Sequence, residues 1–205
     1  MYTLYSYPVS QHSRRVIALL EAAGLDYENR HVAMDKGGFM KPEYLAINPN
    51  HQLPTLVDGN IKIHESNAIL RYLCLKHDLK EWYPDDLASR AAIEQWLDWG
   101  QCRLGPAVVD IVLNTVFMAE NGDKAAIKRG HEKMAELAPI LSAGLENRDF
   151  LAGNQPTIAD LSIASNITHL DWADATPTEP NITNWLTRIC SIEGFRKTLP
   201  QKQAA

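Results

Sequence analysis

Strand signals occur only in the first 78 residues of this 205-residue chain. Two short alternating runs flank residues 58–60, whose sequence Asp-Gly-Asn is typical of a β-hairpin turn. Apolar stripes with helical spacing follow Ser13 and Ser66. The predicted strands are residues 2–7, 27–33, 55–57 and 61–63, with helices after the first and the last of them. The order β-α-β, a connection, then β-β-α restricts residues 1–78 to a small mixed α/β domain.

The rest of the chain has the pattern of an all-helical bundle. Residues 79–88 indicate a linker, and helical periodicity follows over 88–120, 123–146 and 181–190. A kink or break is expected at Gly105-Pro106 and an interruption or bend at Pro139. Thr157 as N-cap, with Asp160 three residues later, predicts a capped helix start. The fold class is therefore α/β plus all-α, with domains at 1–78 and 88–205.

Charge and composition exclude several classes of function. Twenty Lys and Arg against 25 Asp and Glu give a net charge of -5 without a basic block, so nucleic-acid binding is not expected. No apolar run approaches the roughly 18 residues of a membrane span, and the first residues lack a signal-peptide pattern. The expected location is cytoplasmic.

The chain has three cysteines, and none of them forms a C-x-x-C motif: Cys74, Cys102 and Cys190. All three lie in apolar helical contexts and are expected in the core. The histidines lack metal-ligand spacing, so no metal is expected.

Two helix starts in the first domain favour a small anionic ligand. Free N–H groups make a helix start positive, so a carboxylate would bind beside Glu65 and Ser66, unless these residues only cap their own helix. Ser10 lies between the first strand and the first helix, where its hydroxyl can donate a hydrogen bond to a thiolate. Ser10 or Ser13 can alternatively serve only as the N-cap.

The connection between the two halves of the first domain contains further candidate ligand-binding residues. If the bond from Leu53 to Pro54 is cis, the Leu53 N–H and C=O are left free to pair with an extended peptide. His51 and Lys41 offer cationic or donor side chains around the same loops, or are simply solvated.

The sequence resembles a cytosolic glutathione S-transferase of the theta-like or delta-like serine type. The matching stretches cover essentially the whole chain: SQHSRRV from Ser10, KPEYLAINPNHQLPTLVDG from Lys41, HESNAILRYL from His64 and NQPTIADL from Asn154. The resemblance implies a thioredoxin-like first domain that binds glutathione, an all-helical second domain, a homodimer and no metal or other cofactor. It implies conjugation of glutathione to small apolar electrophiles, a detoxifying transferase activity.

The resemblance also implies roles for individual residues. Ser10 would stabilise the glutathione thiolate, with Ser13, or Tyr5 or Tyr7 on the first strand, as alternatives. Leu53, before cis-Pro54, would bind the cysteinyl unit, Glu65 and Ser66 the γ-glutamyl end, and His51 the glycyl end. Asp98 would reach the glutathione of the partner subunit. Apart from the resemblance, the electrophile is expected to contact Pro8 and Val9. Three residues whose spacing places them on one face of the first long helix are expected to form the other wall, or are plain bundle core: Arg103, Ile111 and Thr115.

Two positions depart from the delta-type pattern. Phe39 replaces a histidine that helps to bind the glycyl carboxylate, and Asn67 replaces an arginine after the Glu-Ser pair. Lys41 can compensate for the first, and Asn67 would lie in the glutathione site. Weaker glutathione binding is therefore expected. The alternative functions are a glutathione-binding interaction module with little transferase activity and a glutathione-dependent peroxidase.

Overall fold

The computed structural model describes residues 1–199, and its first part is built on a four-stranded sheet. The elements are β1 (Tyr2–Ser6), α1 (Gln11–Ala22), β2 (Tyr27–His31), the short α2 (Pro42–Leu45), β3 (Thr55–Asp58), β4 (Ile61–His64) and α3 (Ser66–Lys76). The strand order is β2-β1-β3-β4; β1 and β2 are parallel, and the other pairs are antiparallel. The predicted element order and thioredoxin-like arrangement are confirmed.

The predicted hairpin joins β3 to β4. Asp58 pairs with Ile61, and Gly59 between them has a φ of 58°, a left-handed conformation that glycine adopts without steric cost. The turn thus follows directly from the Asp-Gly sequence. The hairpin leads the chain back to the start of α3.

Within the described residues, the second part is built from helices, with one isolated β-bridge between Phe150 and Gly153. Residues 77–86 connect it to α3, and the elements are α4 (Leu87–Trp99), α5 (Gly105–Val112), α6 (Lys124–Gly144), α7 (Ile158–Ile167), α8 (Pro180–Ser191) and α9 (Glu193–Arg196). The helical bundle that the sequence predicts is confirmed. Residues 200–205 of the predicted second domain lie outside the described residues.

The two prolines do not break their helices. Pro106 lies at the start of α5, but a π-helical segment, Gly100–Leu104, carries the chain from α4 into α5. A second π-helical segment, Leu113–Phe117, extends α5. The backbone hydrogen bonds therefore change to the i→i+5 pattern, and the helix continues. The wider turn allows it to pass Pro106, which has no N–H to donate. Pro139 lies within α6, which runs without interruption.

The predicted capping box at the start of α7 is confirmed. The buried Asp160 carboxylate accepts hydrogen bonds from the Thr157 N–H at 2.9 Å and the Thr157 hydroxyl at 3.0 Å. It also accepts from the Leu151 N–H and the Trp185 indole N–H, both at 2.9 Å. One carboxylate thus ties the start of α7 to α8 and to the preceding loop.

A continuous apolar core runs through both parts of the chain. Helix α1 packs on α7 and on α9, where a Cβ added to Gly194 would lie 2.4 Å from the backbone nitrogen of Ala22. Only glycine permits this approach of α9 to α1. Because both parts share this core, α1 faces the second part along most of its length.

The expectation that all three cysteines lie in the core is wrong for one of them. Cys74 is buried and Cys190 partly buried, but Cys102 is exposed. Within residues 1–199, no helix has the length and apolar character needed to cross a membrane.

Candidate functional site

Ser10 lies at the start of α1 and caps it. Its hydroxyl oxygen accepts a hydrogen bond from the Ser13 N–H at 3.3 Å. The backbone of Ser10 has extended geometry, with a φ of -68° and a ψ of 121°, as is usual for an N-cap residue. Because the oxygen accepts this bond, the hydroxyl proton remains available to a ligand in front of the helix start.

The alternatives to Ser10 have other contacts. Ser13 is fully buried, and its hydroxyl oxygen accepts a hydrogen bond from the Tyr7 N–H at 3.2 Å. The Tyr5 hydroxyl accepts one from Arg30 at 3.2 Å. Tyr7 stacks obliquely on His31, and burial raises the pKa of its hydroxyl, followed in importance by the Asp35 charge. Of the two serines at this helix start, Ser10 is therefore the partly exposed one.

The loop before β3 presents the main chain of Leu53. The bond from Leu53 to Pro54 is cis, as the resemblance implies. Neither the N–H nor the C=O of Leu53 has a hydrogen-bond partner within residues 1–199. The Gln52 carbonyl is held by the buried Asn48 amide at 3.0 Å, and that amide also donates to the Thr55 hydroxyl at 3.0 Å. The buried Asn48 side chain thus fixes the residues on either side of Leu53, whose own main-chain N–H and C=O stay unpaired.

Glu65 and Ser66 stand at the start of α3. Glu65 has a φ of 66°, which is unusual for a residue other than glycine, and its exposed carboxylate makes no capping hydrogen bond. Ser66 is buried and begins the helix. Glu65 therefore occupies the N-cap position without capping the helix through its side chain, and the N–H groups of the helix start are left for another acceptor.

Asn67, which is expected in the glutathione site, has its side chain in the interior of the protein. Its side chain is buried and its oxygen accepts hydrogen bonds from Arg15 at 3.2 Å and from Ser162 at 2.9 Å. Its amide donates to the Leu97 carbonyl at 3.3 Å. The second domain provides these last two partners and draws the side chain away from the helix start.

The candidates for the glycyl end, His51 and Lys41, lie in the loops on either side of α2. His51 is exposed with a φ of 46°, and its ring centroid lies 6.4 Å from that of Phe39. Lys41 is exposed at the start of α2 and makes no capping hydrogen bond. Phe39 therefore packs beside the residue expected at the glycyl end.

The three residues expected to form one electrophile-binding face differ in their exposure. Arg103 and Thr115 are exposed, whereas Ile111 is fully buried. A Cβ added to Gly130 of α6 would lie 2.7 Å from Ile111, which is therefore bundle core. Pro8 is exposed and Val9 partly buried in the loop before α1. The π-helical segments before and after α5 change the number of residues per turn. A regular spacing of 3.6 residues per turn therefore does not show which face of the helix each of these residues occupies.

Sequence reasoning missed an aromatic cluster formed by Phe117, His169 and Trp172. The ring of Phe117 stacks on His169 with centroids 6.2 Å apart and lies 5.5 Å from Trp172. Phe117 and its neighbour Met118 are large apolar residues, yet their exposed fractions are 46% and 45%. Exposed apolar residues on the last turn of a long helix were the signal that could have found it.

Two histidines, one at the start of α1 and one in this cluster, have strongly lowered pKa values. His12 lies two residues after Ser10, and His169 stacks on Phe117. Burial, followed by the Arg15 cation, lowers the pKa of His12 to about 3; burial and the Arg14 cation do the same for His169. Both imidazoles are therefore neutral at pH 7.

Asp98, the residue expected to reach a partner subunit, is exposed on α4. In residues 1–199, no group of three His, Cys, Asp or Glu side chains is placed to hold a metal ion.

Comparisons with known proteins agree with this architecture. Residues 1–74 match the family model "Glutathione S-transferase, N-terminal domain", and residues 104–193 match the corresponding C-terminal domain. Glutathione S-transferase F10 of Arabidopsis thaliana is 37% identical over 167 residues, 78% of this chain and 76% of the relative. Glutathione S-transferase D7 of Drosophila melanogaster is 32% identical over 204 residues, 98% of this chain and 89% of the relative.

A solved structure extends the likeness to the whole chain. The theta class glutathione S-transferase of Xanthomonas axonopodis pv. citri, solved with glutathione bound, superimposes with a TM-score of 0.90 at 28% identity over 99% of both chains. The named relatives belong to several classes of the family. The chain therefore belongs to the glutathione S-transferase family and is a glutathione transferase.

Proposed function

We propose that this enzyme adds the thiolate of glutathione to a carbon electrophile on a small apolar substrate, with Ser10 as the residue that stabilises the thiolate. The observation that carries the proposal is the Ser10 hydroxyl, which accepts from the Ser13 N–H and keeps its own proton free. A hydrogen bond to the charged form of the thiol, together with the positive helix start, favours ionisation. This assignment is that of a serine-type enzyme of the theta or delta kind.

The tripeptide would extend from one helix start to the other. The unpaired main chain of Leu53, beside Pro54, suits the cysteinyl unit, in the manner of an added strand. The start of α3 at Ser66 suits the γ-glutamyl carboxylate, and the Glu65 carboxylate suits the ammonium group of the same unit. His51 and Lys41 would then face the glycyl carboxylate.

The second substrate would bind against the aromatic cluster and the loop of Pro8 and Val9. The exposed ring of Phe117, which stacks on the buried His169, supplies apolar area for that substrate. The thiol loses its proton to solvent, the thiolate forms a carbon–sulfur bond, and the leaving group departs with the electron pair of the bond that breaks. The protein contributes ionisation and alignment and forms no covalent bond itself.

The test is glutathione binding by calorimetry combined with conjugation of chlorodinitrobenzene. We expect binding and turnover, and an ionisation midpoint of the bound thiol well below that of free glutathione. A bound thiol that ionises as in free solution would contradict the role given to Ser10. Binding without turnover on a broad set of electrophiles and hydroperoxides would contradict the transferase proposal.

We further propose that the enzyme is a cytoplasmic homodimer with a detoxifying role. The exposed carboxylate of Asp98 on α4 is available for the glutathione of a partner subunit. Sedimentation of the purified protein as a species of 23.0 kDa, the mass of one chain, would contradict the dimer.

A further inference from the structure

Arg14 and Arg15 are neighbours on α1, and both guanidinium groups are buried. Arg14 donates hydrogen bonds to the carbonyl oxygens of Ser165 at 2.8 Å and Thr198 at 3.5 Å, and to the Thr168 hydroxyl at 3.3 Å. All of these partners belong to the second domain. The Arg14 side chain therefore joins α1 to the helical bundle, and within residues 1–199 it makes no hydrogen bond to the sheet-containing domain.

Arg15 bonds to both domains. It donates to the Ser162 hydroxyl at 2.8 Å and the Asn166 oxygen at 3.0 Å on α7, and to the Asn67 oxygen at 3.2 Å on α3. Burial, followed by the Arg14 cation, lowers its pKa to about 9, so Arg15 remains charged at neutral pH. The three acceptors are neutral, and charge-assisted bonds of this kind are stronger than those between neutral groups.

Asn67 receives support from three helices. Besides Arg15 of α1, the Ser162 hydroxyl of α7 donates to its oxygen at 2.9 Å, and its own amide donates to the Leu97 carbonyl of α4 at 3.3 Å. Both hydrogen-bonding ends of this buried side chain are occupied. The second residue of α3 is therefore fixed against the rest of the protein.

The bond from Arg15 to Asn67 connects the two helix starts of the glutathione site. Arg15 lies just over one turn after Ser10, and Asn67 directly follows Ser66. A tripeptide that contacts both serines needs the two helix starts at a constant separation, because small displacements cost affinity and rate steeply.

We propose that Arg15 is a positioning residue for glutathione, which holds the start of α3 at a fixed distance from the start of α1 through Asn67. The inference rests on the proposed function, because it assumes that one tripeptide contacts both helix starts. Arg15 is fully buried, and Asn67 is its hydrogen-bond partner on α3.

The experiment compares Arg15→Met and Asn67→Ala with the matched control Arg14→Met in the full-length protein. All three substitutions remove buried hydrogen bonds and lower the melting temperature. We expect the Kd for glutathione to rise about tenfold in Arg15→Met and Asn67→Ala, with a higher ionisation midpoint of the bound thiol, and about twofold or less in Arg14→Met. The double variant Arg15→Met/Asn67→Ala should bind no more weakly than the weaker single variant, since both remove the same link.

Equal glutathione affinities in Asn67→Ala and Arg14→Met, at similar losses of melting temperature, would overturn the positioning role. This comparison holds even if Arg15→Met does not fold, because Asn67→Ala breaks the same bond from the other side. Wild-type protein that fails to bind glutathione would instead overturn the proposed function and this inference with it.

Discussion

The Ser13 N–H donates a hydrogen bond to the Ser10 hydroxyl oxygen at 3.3 Å, so two serines of one helical turn have opposite environments. Ser10 is partly exposed, whereas Ser13 is fully buried and bonded to the Tyr7 N–H. One hydroxyl therefore faces the space in front of α1, and the other holds the loop before it.

Ser10→Ala is expected to lower kcat/KM for chlorodinitrobenzene about 100-fold, because the donor to the thiolate is lost. The lost N-cap should also cost about 1 kcal/mol of unfolding free energy. Ser13→Ala is the control: it should destabilise the protein by a similar amount and leave kcat/KM within about threefold. Conjugation rates and denaturant unfolding check both variants. If Ser13→Ala impairs catalysis more than Ser10→Ala, the assignment of Ser10 is wrong.

Glu65→Gln is expected to raise the KM for glutathione about tenfold with little change in kcat. The carboxylate is exposed and makes no capping bond, so its charge is free to pair with the γ-glutamyl ammonium group. Glu43→Gln, at an exposed position of α2, is the matched control and should leave KM unchanged. Initial rates at varied glutathione concentration measure the effect. An unchanged KM in Glu65→Gln would argue against this contact.

Phe117→Ala is expected to lower kcat/KM for chlorodinitrobenzene about tenfold, because an apolar contact for the second substrate is removed. The KM for glutathione should not change, since Phe117 lies with His169 and Trp172 on the side of the second domain. Phe150→Ala, on the loop near Arg188, is the control. Equal losses in the two variants would contradict a substrate contact at Phe117.

Asp160→Ala is expected to lower the unfolding free energy by about 3 kcal/mol. The substitution leaves the donors of Leu151, Thr157 and Trp185 buried without an acceptor. Asp149→Ala, an exposed aspartate of the preceding loop, should cost much less. Denaturant unfolding of both variants measures the difference, and near-equal stabilities would show that the buried carboxylate contributes little.

The unfolding free energy is expected to fall as the pH drops from about 6.5 towards about 3. His12 and His169 have pKa values near 3 in the folded protein, against an ordinary value of 6.5, so the unfolded chain takes up protons that the folded protein does not. Each histidine adds at most about 1.4 kcal/mol per pH unit to the slope. His169→Phe, which retains the ring stack, should make the slope shallower, and His131→Gln, at an exposed position of α6, should not. Unfolding curves at several pH values measure these slopes. An unchanged slope in His169→Phe would show that His169 does not contribute to the pH dependence of the unfolding free energy.

Local chemistry made the first domain and the helix starts predictable. The Asp-Gly turn at Gly59, the capping box of Thr157 with Asp160, and the hydroxyl of Ser10 each depend on residues within a few positions. Such features fix backbone conformation through hydrogen bonds and sterics that the sequence displays directly. The sequence by itself therefore determined the order of the elements and the positions of the two helix starts.

The tertiary structure alone decided which way side chains point once the two domains meet. Asn67 follows the Glu-Ser pair in sequence, yet Arg15 and Leu97 draw it into the interior. The π-helical segments shift the helical face, so Ile111 enters the core and Phe117 reaches the surface beside His169. The physical reason is that buried polar groups form hydrogen bonds, and apolar faces pack, with residues that are distant in sequence. A local sequence pattern does not identify those partners.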